Sequence, residues 1–123
     1  VKNNNLGINF NGDFYASRNI EIDISGGITF GNNVMISDNV TIHTHKHEYN
    51  GISLAKAVTT QSSLRIEDEA WICNNVIISS SVNRIGKGAI IAAGSTLTKD
   101  VEDFEIYGGV PARFIKKRKK FEF

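Results

Sequence analysis

Aliphatic residues recur every six positions through most of this 123-residue chain, and few architectures satisfy that spacing. One run reads Ile24, Phe30, Ile36, Ile42; after a break a second reads Ile66, Ile72, Ile78, Ile85, Ile91, Leu97. Four residues after most of these comes a smaller partner: Ile28, Val34, Val40, then Ala70, Val76, Val82, Ala89, Ser95, Val101. An amphipathic helix needs spacings of three and four, and a half-buried strand needs alternation, so neither explains a period of six. A parallel β-helix does, because each hexad lays down one flat side of a prism.

The larger side chain of each hexad fills the prism, and the smaller one turns inward near a corner. Between them lie Gly, Asn, Asp and Ser, as in Phe30-Gly31-Asn32-Asn33-Val34. Those residue types tolerate tight corners and bond their own backbone. Three hexads, or eighteen residues, make one triangular coil, and coils stack at about 4.8 Å. Weaker hexads at Arg18, Gly12 and Leu6, with Ile22, Ala16 and Phe10 at their fifth positions, extend the pattern towards the N-terminus. The register slips once, with seven residues from Ile78 to Ile85, so a residue near Arg84 must bulge. The expected fold is therefore all-β, one parallel β-helix domain over residues 1–123 with four to five coils. A protruding loop is expected at about 48–59 and a short basic segment at about 103–123.

Composition narrows the function classes. No stretch reaches the roughly 18 consecutive apolar residues of a membrane span, and no signal peptide precedes the repeats. The lone Cys73 cannot form an internal disulfide, which suits a reducing cytoplasm. Lys116, Lys117, Arg118, Lys119 and Lys120 form a basic run; setting them aside leaves nine basic against thirteen acidic residues, or −4. The run reads either as a solvated tail or as a phosphate contact. Nucleic acid is disfavoured, since the rest of the chain is acidic and carries no evident aromatic platform.

The hexads stop after Ile42, where His43-Thr44-His45-Lys46-His47-Glu48-Tyr49 follows, and resume at Thr60 and Leu64. A loop of about a dozen residues thrown out of a tight repeat is usually functional. All three histidines of the chain lie at its base, and alternation on an extended segment puts them on one face.

Several motifs occur in order: Val40-Thr41-Ile42 and the His-rich turn, Glu69-Ala70-Trp71-Ile72, Ile85-Gly86-Lys87-Gly88-Ala89-Ile90-Ile91-Ala92-Ala93-Gly94-Ser95, and Thr98-Lys99-Asp100-Val101. The most specific is Gly108-Gly109-Val110-Pro111-Ala112-Arg113-Phe114-Ile115-Lys116-Lys117. With this set the chain resembles the left-handed β-helix hexapeptide-repeat acyltransferases, nearest the branch that acetylates sugars and polysaccharides, such as the galactoside and maltose acetyltransferases. The left-handed sense comes from the resemblance alone.

That resemblance implies a cytoplasmic homotrimer with active sites between subunits, acetyl-CoA as co-substrate and no metal. It makes His47 the general base that takes a proton from an acceptor hydroxyl. His45, Asp23, Tyr49 and Trp71 fall at acceptor or acyl-donor positions, with Asp23 as the acidic partner of His47. Asn74 and Ala93 match the pantetheine groove, Thr98 and Lys99 its nucleotide end, and Arg113 and Lys116 the phosphates. Cys73 and Ala92 stand where the family usually has glycine, and the N-terminal helical segment that shapes the acceptor site in the sugar enzymes has no counterpart in Val1–Asn5. Two other readings stay open: N-acetylation of an amino sugar, and a scaffold that kept the fold without the reaction. A zinc enzyme of the γ-carbonic-anhydrase type is disfavoured, because its histidines come from separate coils and here all three lie within five residues.

Overall fold

The computed structural model describes residues 7–121; Leu6 and Val1–Asn5 lie outside the described residues. The first coil comprises β1 (Ile8–Phe10), β2 (Phe14–Ala16) and β3 (Glu21–Ile22), and the second β4 (Ile28–Phe30), β5 (Val34–Ile36) and β6 (Thr41–Ile42). An arm then leaves the rod as β7 (His45–His47), a 3-10 turn (Leu54–Lys56) and β8 (Thr59–Gln61). The third coil is β9 (Leu64–Ile66), β10 (Trp71–Ile72) and β11 (Ile77–Ile78), and the fourth β12 (Arg84–Ile85), β13 (Ile90–Ile91) and β14 (Thr96–Leu97). The hairpin β15 (Glu105–Gly109) and β16 (Ala112–Lys117) closes the far end.

Each third of a coil stacks on its equivalent, giving three parallel faces: face A (β1-β4-β9-β12), face B (β2-β5-β10-β13-β15, with β16 added antiparallel) and face C (β3-β6-β11-β14). Inward residues form columns, Phe30 on Ile66 on Ile85, Ile36 on Ile72 on Ile91, and Ile42 on Ile78 on Leu97. None of these nine is more than 1% exposed, so the hexad pattern is a burial pattern. Burying each such side chain contributes about 1.5–3 kcal/mol relative to leaving it in water. Asn19, Asn33, Asn39 and Asn75 turn corners at φ of 57–60°, a conformation that Asn tolerates better than most side chains.

Coil length is where the structure departs from the sequence reading. Partners in adjacent coils are separated by 20 residues (Ile8 and Ile28), 36 (Ile28 and Leu64) and 19 (Ile66 and Ile85), not by 18. Every extra residue falls at the corner where face C hands the chain to face A. Two lie between Ile22 and Ile28, eighteen between Ile42 and Leu64, and one, Asn83, between Val82 and Arg84. Arg84 itself sits in β12 beside Arg65.

The longer first corner shifts the N-terminal coil by two residues. Phe10, Ala16 and Ile22 therefore stack on Phe30, Ile36 and Ile42. Ile24 and Arg18, expected to point inward, are exposed, and Arg18 instead reaches Asp38 at 3.5 Å. Gly12 is exposed as well, at a corner. The arm also begins earlier than expected, since β7 and β8 pair antiparallel from His45 opposite Gln61 to His47 opposite Thr59. Thr60 thus belongs to the arm, and the inward pattern resumes only at Leu64.

Candidate active site

The edge between faces C and A is built from successive corners. The amide of Asp23 donates to the Ile42 carbonyl, that of His43 to Ile78, and that of Ser79 to Leu97. Asp23, His43, Ser79 and Thr98 consequently lie one above another along this edge. Thr44 turns inward and is 1% exposed, while His43 before it faces out. The Thr44 hydroxyl accepts the Gly26 N–H (2.9 Å) and lies 2.7 Å from the Asp23 carbonyl. A Cβ on Gly26 would overlap the carbonyl oxygens of Ser62 and Thr44, so glycine is required for the arm to leave and return at this point.

The kink at Thr44 separates the three histidines. His45 and His47 share a face of β7, with ring centroids 5.6 Å apart and planes at 86°. His43 stays on the rod, against the expected single face. Asp23 is bonded to His45 through Oδ2 and Nδ1, and not to His47. His47 Nδ1 instead lies 3.3 Å from the hydroxyl of Thr59 across the hairpin. The expected Asp23–His47 pairing is thus corrected to Asp23–His45, because His47 lies two residues farther out along β7, where its ring meets Thr59.

Partial burial of Asp23 opposes its ionisation. Hydrogen bonds from His45 and from the backbone N–H groups of Thr44 and Ser25 outweigh that, and hold the carboxyl well below the usual carboxylate range. At Cys73, burial alone acts and pushes the thiol up, the opposite of what a nucleophilic thiol needs.

No protein-family model matches the chain. The chain is 32% identical over 116 residues to a galactoside O-acetyltransferase of Lactococcus lactis, covering 94% of this chain and 56% of that protein. A hexapeptide-repeat-containing acetyltransferase from Vibrio cholerae superposes with a TM-score of 0.81 at 28% identity, over 92% of this chain and 68% of that one. The chain is similar in sequence and fold to the hexapeptide-repeat acetyltransferases.

Its rod is accordingly a left-handed parallel β-helix. The Vibrio protein has also been solved with acetyl coenzyme A. An N-acyltransferase variant from Bacillus cereus, bound to coenzyme A and dTDP-4-amino-4,6-dideoxyglucose, shares the fold at a TM-score of 0.72 and 22% identity, over 92% of this chain and 68% of that one. The chain spans about half the length of the curated relatives it matches.

The hexapeptide-repeat rod distributes the remaining candidate residues over three places. Asn74 and Ala93 stack on adjacent coils at the edge between faces B and C, where the Gly94 amide donates to the Asn74 carbonyl (2.9 Å). The side-chain oxygen of Asn74 is occupied by the Asp38 amide. Thr98 and Lys99 lie on the opposite edge of face C, in line with the His-rich turn. Arg113 and Lys116 are exposed on β16, opposite Gly108 and Ile106.

Face C, with Glu21, Thr41, Ile77 and Thr96 outward, is therefore bordered by both sets. Trp71 points out of face B, and its indole N–H donates to Ser37 (3.0 Å). Tyr49 is exposed beyond the paired strands of the arm. Sequence reasoning missed Thr44 and Thr59. Thr44 was legible, since it follows inward Ile42 by two; Thr59 was not, because twelve residues separate it from His47 in sequence.

Among the described residues no group of three or more His, Cys, Asp or Glu could hold a metal ion. Among the same residues no helix is long and apolar enough to cross a membrane.

Proposed function

We propose that this protein is a cytoplasmic acetyl-CoA-dependent O-acetyltransferase acting on a sugar hydroxyl, with His47 as general base. The observation that carries the reading is the exposed His47 imidazole on an arm anchored directly above the edge that bears Thr98 and Lys99. With Nδ1–H donating to Thr59, Nε2 keeps its lone pair for the acceptor. His47 takes the hydroxyl proton as the acceptor oxygen attacks the thioester carbonyl. The carbon–oxygen bond forms, the carbon–sulfur bond breaks, and the departing sulfur receives the proton from the imidazolium. Such catalysis contributes roughly 10²–10⁴-fold. Asn74 and Ala93 line the path of the pantetheine arm through backbone groups, and Thr98, Lys99, Arg113 and Lys116 hold the nucleotide and phosphates. Tyr49 and Trp71 flank the acceptor and the acyl donor.

A homotrimer with sites between subunits completes this reading. An outward column on face B, Tyr15, Met35, Trp71 and Ile90, is in register from coil to coil, and its first three residues are exposed. Exposed Tyr49, Ile52, Leu54 and Val58 make the arm equally apolar. Contiguous apolar surface of this kind supports coverage by further copies of the chain. N-acetylation of an amino sugar is the second reading, favoured by the Bacillus cereus relative and its amino-sugar ligand. A screen of galactosides, maltose and amino sugars, following thiol release from acetyl-CoA, separates the two. Transfer to galactosides supports the O-acetyl reading; transfer to amino sugars alone sinks it.

A further inference from the structure

We propose that Asp23 serves the reaction as a positioning residue acting through His45, and does not bind the acceptor. This rests on the acetyltransferase reading above and departs from the acceptor role that the sequence suggested for Asp23. The carboxylate is already engaged. Oδ1 accepts the Ser25 N–H (3.1 Å), and Oδ2 accepts the Thr44 N–H (2.9 Å) and the His45 ring, with the Thr44 hydroxyl at 3.2 Å. Oδ2, the oxygen that meets the arm, already has its two lone-pair sites filled by the Thr44 N–H and the His45 ring, so an acceptor hydroxyl would have to displace one of them there.

What the carboxylate does instead is set by its partner. Asp23 belongs to the first coil, and His45 to the arm that leaves the second. Their bond ties the arm to the rod and holds a proton on His45 Nδ1, facing the carboxylate. The His45 ring then meets the His47 ring edge to face, while Thr59 holds His47 from the hairpin side. His47 is thereby braced by neighbours that are themselves fixed, the arrangement that keeps a base within productive geometry. The other charged groups nearby are Lys46 and Glu48, which pair with each other at 3.5 Å, Glu48 also accepting from Thr60. Asp23 is the carboxylate that faces the pair from the rod.

The test is a two-by-two set, Asp23→Asn, His45→Gln and the double variant, all in the full chain. His45→Gln keeps the bonds of Asp23 to Ser25 and Thr44, so it remains informative if Asp23→Asn folds poorly. Nitrogen-15 imidazole spectra of the unliganded wild type are expected to show His45 in the single Nδ1–H tautomer, and Asp23→Asn to mix the tautomers. With acetyl-CoA and the best sugar acceptor from the screen, each single variant should lose about tenfold in kcat, as is usual for outer partners of a working histidine. The acceptor KM should stay within twofold, and the double variant should lose no more than the worse single.

A rise in acceptor KM with kcat retained in Asp23→Asn would make Asp23 a ligand and overturn the proposal. So would losses that multiply in the double variant, or mixed tautomers in wild type. If wild type acetylates no sugar, the acetyltransferase reading is what fails, and the spectra alone still decide whether Asp23 fixes His45.

Discussion

The three faces of the rod and the edge between faces C and A are made from the same hexads, yet they behave oppositely. Along the faces, register is strict from β4 to β14, and the inward columns of isoleucine admit no irregularity. Along that one edge the spacing changes at every turn: two residues are added, then eighteen, then one, and the last turn, from Ile85 to Val101, is two residues short of eighteen. A corner projects into solvent, so added residues there cost only loop entropy, which grows slowly with length. An added residue within a face would turn the inward column outward. Variation therefore collects on one edge, and the histidines, Asp23, Thr98 and Lys99 collect there with it.

The widest separation between the two regions comes from removing the arm. Deleting residues 45–62 restores the spacing of four between Ile42 and Leu64, and Thr44 and Ser62 already lie within a 2.8 Å backbone bond of each other. Acetyl transfer should vanish while the thermal unfolding midpoint changes by a few degrees at most; collapse of the fold would show that the edge supports the rod. Ile72→Ala, on a face, should do the reverse and lower stability by about 2–5 kcal/mol in denaturant titration.

Asp23→Asn lies between these extremes, with an expected loss of about 1–3 kcal/mol at neutral pH. The folded pKa of Asp23 is depressed, so its contribution is fully present above the unfolded value of 3.8 and is lost as pH falls below it. Melting curves for wild type and variant should stay apart from pH 7 to about pH 4 and draw together progressively, without merging, as pH falls from about 4 towards about 2. Parallel curves would mean that the carboxylate charge contributes nothing.

Arg113→Ala should weaken acetyl-CoA by about tenfold in calorimetry without altering the melting midpoint. The smallest effect belongs to Arg84, whose guanidinium bonds Asp103 (2.7 Å) and Glu67 (3.2 Å) but is a third exposed. Solvent screening limits Arg84→Ala to about 1 kcal/mol or less.

How much of this was legible in the sequence follows the same division. The columns from Phe30 to Leu97 could be read because inward residues keep their spacing whatever the corners do. The first coil was misread because Asp23–Gly27 is a longer corner, and nothing local distinguishes Ile24, which is exposed, from Ile22, which packs on the core. The break after Ile42 located the arm and alternation could place Thr44 inward, yet spacing could not show that the chain kinks there and divides His43 from His45. Nor could it pair Asp23 with His45, since that contact depends on the two-residue insertion that the hexad count overlooked. Asn74 and Ala93 share an edge for the opposite reason: the one insertion between them, Asn83, shows in the sequence as the slip from Ile78 to Ile85, and with it allowed for, separation converts into stacking.

The most direct measurement is acetyl-CoA-dependent acetylation of galactosides by wild type and His47→Ala, with acetyl-CoA affinity determined on both. The account requires kcat to fall by about 10²–10⁴ with affinity for acetyl-CoA unchanged. Equal turnover by the two proteins would remove His47 from the chemistry and, with it, the claim that the arm on the irregular edge carries the reaction.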